Sequence, residues 1–174
     1  MAFSYPQYRE KVRRMCPIPD DVAVPVGEWS RWQKLMVPEK GLGRDYKNRN
    51  KGNDGSYREG RYLPGDGVCG IYEWKIANPE VEEDSYIVYL GSSCNEENAP
   101  LRNRILQYCK NGSHKQKEIN YSLRKGYQLY VRYREFEGND EANEAENYLL
   151  GKYNYAWNEH NNAIREPIRQ DLQD

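Results

Sequence analysis

The sequence predicts an α/β fold of the α+β kind, a small mixed, largely antiparallel central sheet flanked by helices. Three observations carry that expectation. Residues 68–76 and 85–89 are rich in β-branched and aromatic side chains and lie on either side of an acidic turn through Asn78-Pro79. In residues 127–134, Tyr127, Leu129, Val131 and Tyr133 alternate with Gln128, Tyr130, Arg132 and Arg134, the period of a strand with two unlike faces. Three stretches carry helix start or stop signals: Pro100 before 101–111, Gly126 after 115–124, and Asn139 before 140–152. The predicted order is β-β-α-α-β-α.

Taken along the chain, Ser4 can cap a helix that Pro6 enters near its first turn, with Tyr8, Val12 and Met15 on one face and an end before Pro17. Residues 28–37 hold Trp29, Trp32, Leu35, Met36 and Val37, apolar enough to pack on a core and compatible with helix or strand. From Gly41 to Gly65 the chain is polar and glycine-rich. It sets Arg44, Lys47, Arg49, Lys51, Arg58 and Arg61 against Asp45, Asp54 and Glu59, with Tyr46, Tyr57 and Tyr62 interleaved. Such a segment reads either as a solvated loop or as an arm that follows a phosphate backbone and lays its tyrosines on sugar or base. The helix from Pro100 is expected to stop at Gly112. The organisation expected is an N-terminal extension packed on the core (1–67), a core (68–158) and a tail (159–174).

The 174 residues are enough for one domain with a real core. Only 37% are hydrophobic, and 16 tyrosines carry most of the aromatic content, which suits wet interfaces. The net charge of −1 does not by itself mark a polyanion binder, but residues 1–67 hold 13 Lys/Arg against 9 Asp/Glu and form the more cationic part. Cys16, Cys69, Cys94 and Cys109 are irregularly spaced, with no Cys-x-x-Cys and only two histidines, which argues against zinc and for reduced, mostly buried thiols. No membrane span and no secretion-signal core is found, so a nuclear or cytoplasmic location is expected.

Helical geometry then selects the polar residues that share an environment. At about 100° per residue Arg104 and Tyr108 lie about 40° apart on one face, whereas Arg102 lies about 120° from Tyr108. On the last helix Glu146 falls about 40° from Ala142, inside the stripe of Ala145, Leu149 and Tyr153, while Glu144 lies near 200° and faces solvent. A carboxylate aimed at the core side needs a partner, a metal or a function.

These residues also carry a resemblance. Gly70-Ile71-Tyr72, Tyr89-Leu90-Gly91, Leu101-x-x-Arg104-Ile105-x-x-Tyr108, Glu146-Asn147-Tyr148 and Asn158 at the end of Tyr155-Ala156-Trp157-Asn158 occur in the order of the GIY-YIG nuclease superfamily, which the chain resembles over 68–158. A narrower similarity, to the Effector of Transcription proteins of plants, rests on five segments. These are Ser30-Arg31-Trp32-Gln33-Lys34-Leu35, the Arg61-Tyr62 before Leu63-Pro64, Tyr89-Leu90-Gly91, Asn111-Gly112-Ser113-His114 and Tyr155-Ala156-Trp157-Asn158; the cysteine-rich repeats of those regulators are absent from this sequence.

The resemblance implies a metal-dependent endonuclease that hydrolyses DNA phosphodiester bonds. By similarity, Tyr72 takes the proton of the attacking water, Tyr89 adjusts its hydrogen bonding, Arg104 contacts the scissile phosphate, and Tyr108 orients the nucleophile or phosphate. Glu146 holds one divalent ion, Mg²⁺ or Mn²⁺, and Asn158 is a supporting residue. Some family members carry a lysine directly after Tyr-x-Gly; Ser92 stands there, and Lys75 is the candidate substitute. Contacts to DNA are expected from Arg44, Lys47, Arg49, Lys51, Arg58, Arg61, Lys110, His114 and Lys115. The expected partner is double-stranded or structured DNA, with RNA also open, bound by a monomer or weak homodimer. A catalytically weak or inactive DNA-binding regulator of transcription and a GIY-YIG restriction endonuclease are the alternatives.

Overall fold

In a computed structural model of the chain, the structure describes residues 29–39, 46, 48–49, 55–59, 63–65, 67–94, 100–153 and 155–158. The helix expected near residues 4–16 lies outside them. The strands are β1 (Gln33–Val37), β2 (Asn48–Arg49), β3 (Ser56–Tyr57), β4 (Cys69–Asn78), β5 (Val81–Ser93) and β6 (Gln128–Phe136). The helices are α1 (Pro100–Asn111), α2 (Gln116–Arg124) and α3 (Asn139–Lys152), with a 3-10 turn, Ser113–Lys115, leading into α2.

All six strands form one sheet in the order β2-β3-β1-β6-β4-β5, and every pairing is antiparallel among the described residues. The long β4–β5 hairpin runs from Gly70 opposite Ser93 to Asn78 opposite Val81. Helices cover both faces. On one, Leu101, Ile105, Tyr108 and Cys109 of α1 and Ile119 and Leu123 of α2 pack with Tyr72, Trp74 and Ile76 of β4. On the other, Ala142, Ala145, Leu149 and Leu150 of α3 pack on Ile71, Ile87 and Leu90. Successive residues of β4 therefore enter different cores, as strand alternation requires. The expected sheet with flanking helices is present, and its strands are wholly antiparallel where they are described.

Several local expectations are corrected. Residues 33–37 are a strand because β6 offers them a partner, Gln33 opposite Val131. The polar stretch 41–65 supplies β2 and β3 and buries Tyr46 and Tyr57, so these two rings are core rather than base platforms. The acidic turn shrinks to Pro79-Glu80, with 81–84 already in β5. Asn78 Oδ1 accepts the Glu80 N–H at 2.9 Å and its amide donates to Asp84, which also accepts the Tyr127 hydroxyl. Asn139 lies inside α3; Gly138 stands at the cap with an extended backbone and no side-chain capping bond.

Two further corrections concern polar groups. Cys69 and Cys94 are joined as a disulfide across the β4 and β5 ends, against the expectation of reduced thiols, while Cys109 is free and buried. Arg132, on the polar face of β6, is not solvated, because Trp29, Trp32 and Tyr155 close around it. Arg132 is buried there and pairs with buried Glu73, Nε to Oε1 at 2.8 Å and Nη2 to Oε1 at 2.6 Å, and the Tyr155 hydroxyl donates to the other Glu73 oxygen at 2.7 Å. The guanidinium is sandwiched between Trp29 and Trp32, at 4.4 and 4.6 Å from the ring centroids.

Candidate active site

Cross-strand register puts Tyr72 opposite Gly91. The phenol leans over that glycine so closely that a Cβ built there would lie 2.5 Å from Tyr72 Oη. This close approach is the physical reason for the glycine that ends Tyr89-Leu90-Gly91. A Cβ at Gly70 would likewise collide with the backbone carbonyl of Arg134 on β6.

Tyr72 thus projects toward α1, where Tyr108 sits on the inward stripe of the helix. The two hydroxyls are 3.0 Å apart and both rings are fully buried. Tyr89, from β5, completes a triangle of rings, 6.3 Å from Tyr72 and 5.9 Å from Tyr108 by centroid. Arg104, one turn before Tyr108, lays its guanidinium 5.0 Å from the Tyr108 ring. It is half-buried, donates to Gln107 and Ser113, and lies beside Tyr72. The helix-face argument for Arg104 and Tyr108 corresponds to this geometry.

Burial raises all three phenols above the ordinary tyrosine range. At Tyr72 the neighbouring Tyr89 adds to the rise, and the Tyr108 hydrogen bond and Arg104 oppose it. Arg104 opposes the rise at all three phenols, but burial outweighs it and keeps each of them protonated at neutral pH in this environment alone.

Glu146 approaches from the opposite layer. Ser92, next to Gly91, points to the α3 side, and its hydroxyl donates to Glu146 Oε1 at 3.1 Å. Ser92, at the place of the lysine of some relatives, is thus the carboxylate's hydrogen-bond partner. The Glu146 carboxyl is half-buried, and desolvation raises its pKa above the usual carboxylate range while the Ser92 bond pulls it back. Its charge is near enough to help raise Tyr89, so it borders the phenol cluster around the end of β5. Glu144 is exposed. Among the described residues no group of three or more His, Cys, Asp or Glu gathers to hold a metal. A single carboxylate with one oxygen turned from Ser92 fits a hard ion that keeps most of its water shell, as Mg²⁺ does.

Asn158 sits at the edge of the sheet. Its Oδ1 accepts the Leu90 N–H at 3.0 Å and its Nδ2 donates to the Leu90 carbonyl at 2.9 Å, while Trp157 N–H donates to the Val88 carbonyl. The segment so fixes the stretch of β5 from which Tyr89 and Gly91 project. Lys75 is not a substitute for the lysine. Three residues past Tyr72 along β4, it lies on the other face of the sheet and packs over Trp32 and Tyr130, where burial and Arg132 lower its pKa.

The residues expected to touch DNA divide. Lys110 is exposed on the last turn of α1. Arg58 is half-buried and donates to the Lys34 carbonyl while stacking on Tyr46, so it braces β1. Lys115 is buried, pairs with Glu118 at 3.7 Å and lies over the Tyr89 ring. Arg49 is in β2, but its side chain lies outside the described residues, as do Arg44, Lys47, Lys51 and Arg61.

His114 is placed differently from a plain surface residue. Although exposed, its Nε2 is 3.1 Å from Tyr89 Oη, its Nδ1 is 3.3 Å from Arg104 Nη2, and its ring packs edge-on against Tyr89 and Tyr108. Sequence reasoning did not group it with the phenols; the signal available was Asn111-Gly112, a helix stop that turns the chain back toward α1.

No curated protein and no solved structure matches the chain. With the Gly-Ile-Tyr and Tyr-Leu-Gly strands side by side and the helical Arg and Tyr against them, the match of residues 29–171 to the GIY-YIG domain-containing proteins has its structural counterpart, and the chain belongs to that family.

Proposed function

We propose that this protein is an endonuclease that hydrolyses phosphodiester bonds in DNA with the help of one divalent ion. The observation that carries the reading is the convergence of Tyr72, Tyr89, Tyr108 and Arg104 from two strands and a helix, with Glu146 at the border of the cluster. Tyr72 Oη, opposite Gly91, is the group that meets the attacking water and takes its proton. The Tyr108 hydroxyl, 3.0 Å from Tyr72 Oη, holds it in place. Arg104, a fixed cation half open to solvent, binds the scissile phosphate and opposes its growing negative charge. Glu146 would hold the ion, Mg²⁺ or Mn²⁺, which when bound supplies charge neutralisation at the phosphate and the departing 3′-oxygen. Asn158 keeps β5 in register beneath the reacting groups.

Supercoiled plasmid incubated with the protein and magnesium should become nicked or linear. Tyr72→Phe and Glu146→Gln should each slow that conversion about 100-fold or more, with circular dichroism showing the variants folded. No product from the wild type on plasmid, linear and branched DNA, or undiminished product from Glu146→Gln, would remove the proposal.

A second reading, a DNA-binding regulator of the Effector of Transcription kind that does not cut, is favoured by one observation: burial keeps all three phenols protonated. It expects salt-sensitive DNA binding without turnover in the same assay.

A further inference from the structure

Resting on the nuclease reading, we infer that His114 is the terminal proton acceptor of a relay that runs from the attacking water through Tyr72, Tyr108 and Tyr89. The groups line up as a path: Tyr72 Oη lies 3.0 Å from Tyr108 Oη, the Tyr108 and Tyr89 rings stand 5.9 Å apart by centroid, and Tyr89 Oη lies 3.1 Å from His114 Nε2. The path starts in the fully buried pair and ends on an exposed ring that can return the proton to solvent.

A relay removes the need for a phenolate. As the water oxygen bonds phosphorus, one of its protons moves to Tyr72 Oη. The Tyr72 proton moves to Tyr108 Oη, that of Tyr108 to Tyr89 Oη, and that of Tyr89 to Nε2 of neutral His114. Each phenol accepts one proton and gives one, so all three stay neutral, and the imidazolium formed releases its proton to bulk water. The phosphorus–3′-oxygen bond breaks with its electron pair on the oxygen, which takes a proton from solvent. An imidazole is a stronger base than a phenol and is the ordinary side-chain proton acceptor at neutral pH.

The chain holds the ring in place for this. Gly112 and Ser113 both have left-handed backbones, φ 75° and 49°, a conformation unfavourable for serine. Asn111 Oδ1 accepts the Ser113 N–H at 2.7 Å, and the Gly112 N–H donates to the Tyr108 carbonyl. This turn swings His114 back over α1. Its Nδ1 faces two groups, Arg104 Nη2 at 3.3 Å and Ser113 Oγ at 3.4 Å. Arg104 can only donate, which puts the ring proton on Nε2; Ser113 can accept, which puts it on Nδ1 and leaves Nε2 to receive. A phosphate that draws Arg104 away therefore frees Nδ1 to carry the proton and Nε2 to receive. The charged and titratable groups facing the ring are Arg104 and Tyr108 from α1 and Tyr89 from β5, with Lys115 beside it over Tyr89.

The test is the pH dependence of magnesium-dependent plasmid nicking at saturating DNA. The wild-type rate should fall about tenfold per pH unit on the acid side, where a protonated imidazole cannot accept. His114→Gln should cut about 100-fold more slowly and lose that limb while binding DNA as tightly by fluorescence anisotropy. Added imidazole should restore His114→Ala and fail to restore His114→Ala combined with Tyr108→Phe, in which the path is cut. Nicking by His114→Gln with wild-type rate and pH profile overturns the relay alone, as does a loss that lies wholly in DNA affinity, which would make His114 a phosphate contact. A wild type that cuts no DNA overturns the nuclease reading and the relay with it.

Discussion

Glu146, the residue proposed to hold the ion, opposes stability. Burial raises its folded pKa above the unfolded value, so between the two values the native state binds more protons and stability falls as pH rises. The penalty is absent below the unfolded carboxylate pKa and complete above the folded one. Glu146→Gln should therefore unfold at a higher temperature than wild type at pH 7 without magnesium, and the difference should vanish in acid below the carboxylate range. Equal melting temperatures at pH 7 would contradict the burial cost. Ser92 limits that cost with one hydrogen bond and leaves the second oxygen for an ion.

At the level of elements, the edge strand β5 is the weak point of the sheet, because only one side of it is paired within the sheet. The segment 155–158 closes the other side at the active-site stretch, with Asn158 giving both bonds to Leu90. Asn158→Ala removes two hydrogen bonds of ordinary strength and should lower stability by about 1–2 kcal/mol in urea titrations. Hydrogen exchange at the Leu90 amide should accelerate with it. Protection at Leu90 equal to wild type would show that the asparagine does not hold the strand.

For the molecule as a whole, Glu73 and Arg132 join β4 to β6 beneath α3, and Tyr155 ties the C-terminal segment to the same carboxylate. Both side chains are nearly inaccessible, 0% for Glu73 and 3% for Arg132. Glu73→Ala would leave a guanidinium buried without its carboxylate and should cost about 3–5 kcal/mol. Chemical denaturation measures that loss; one below about 1 kcal/mol would mean that Trp29 and Trp32 suffice to hold the charge. The pair lies across the sheet from the phenols, so it sets the frame for the site without taking part in its chemistry.

How much of this was legible in the sequence follows from the range of each interaction. Strands β4, β5 and β6 and the three helices were readable because alternation, helical spacing and Gly or Pro punctuation act within a few residues. The same locality made Arg104 and Tyr108 readable as one face and Glu146 as inward. Residues 33–37 stayed open between helix and strand, and 48–49 and 56–57 were not readable as strands, since their partners lie across the sheet and the segment around the latter two is polar. That Arg132 is buried was not readable, because alternation reports two faces and not what covers the second. Lys75 and His114 exchanged importance for the same reason: only the register of β4 sends Lys75 to the far face, and only the return of the chain at Gly112-Ser113 brings His114 onto Tyr89. The sequence by itself determined the family, the sheet with its flanking helices and the residue types of the site. Which of those side chains meet was decided by the tertiary structure, because a hydrogen bond across 25 or 36 residues depends on packing that no local pattern encodes.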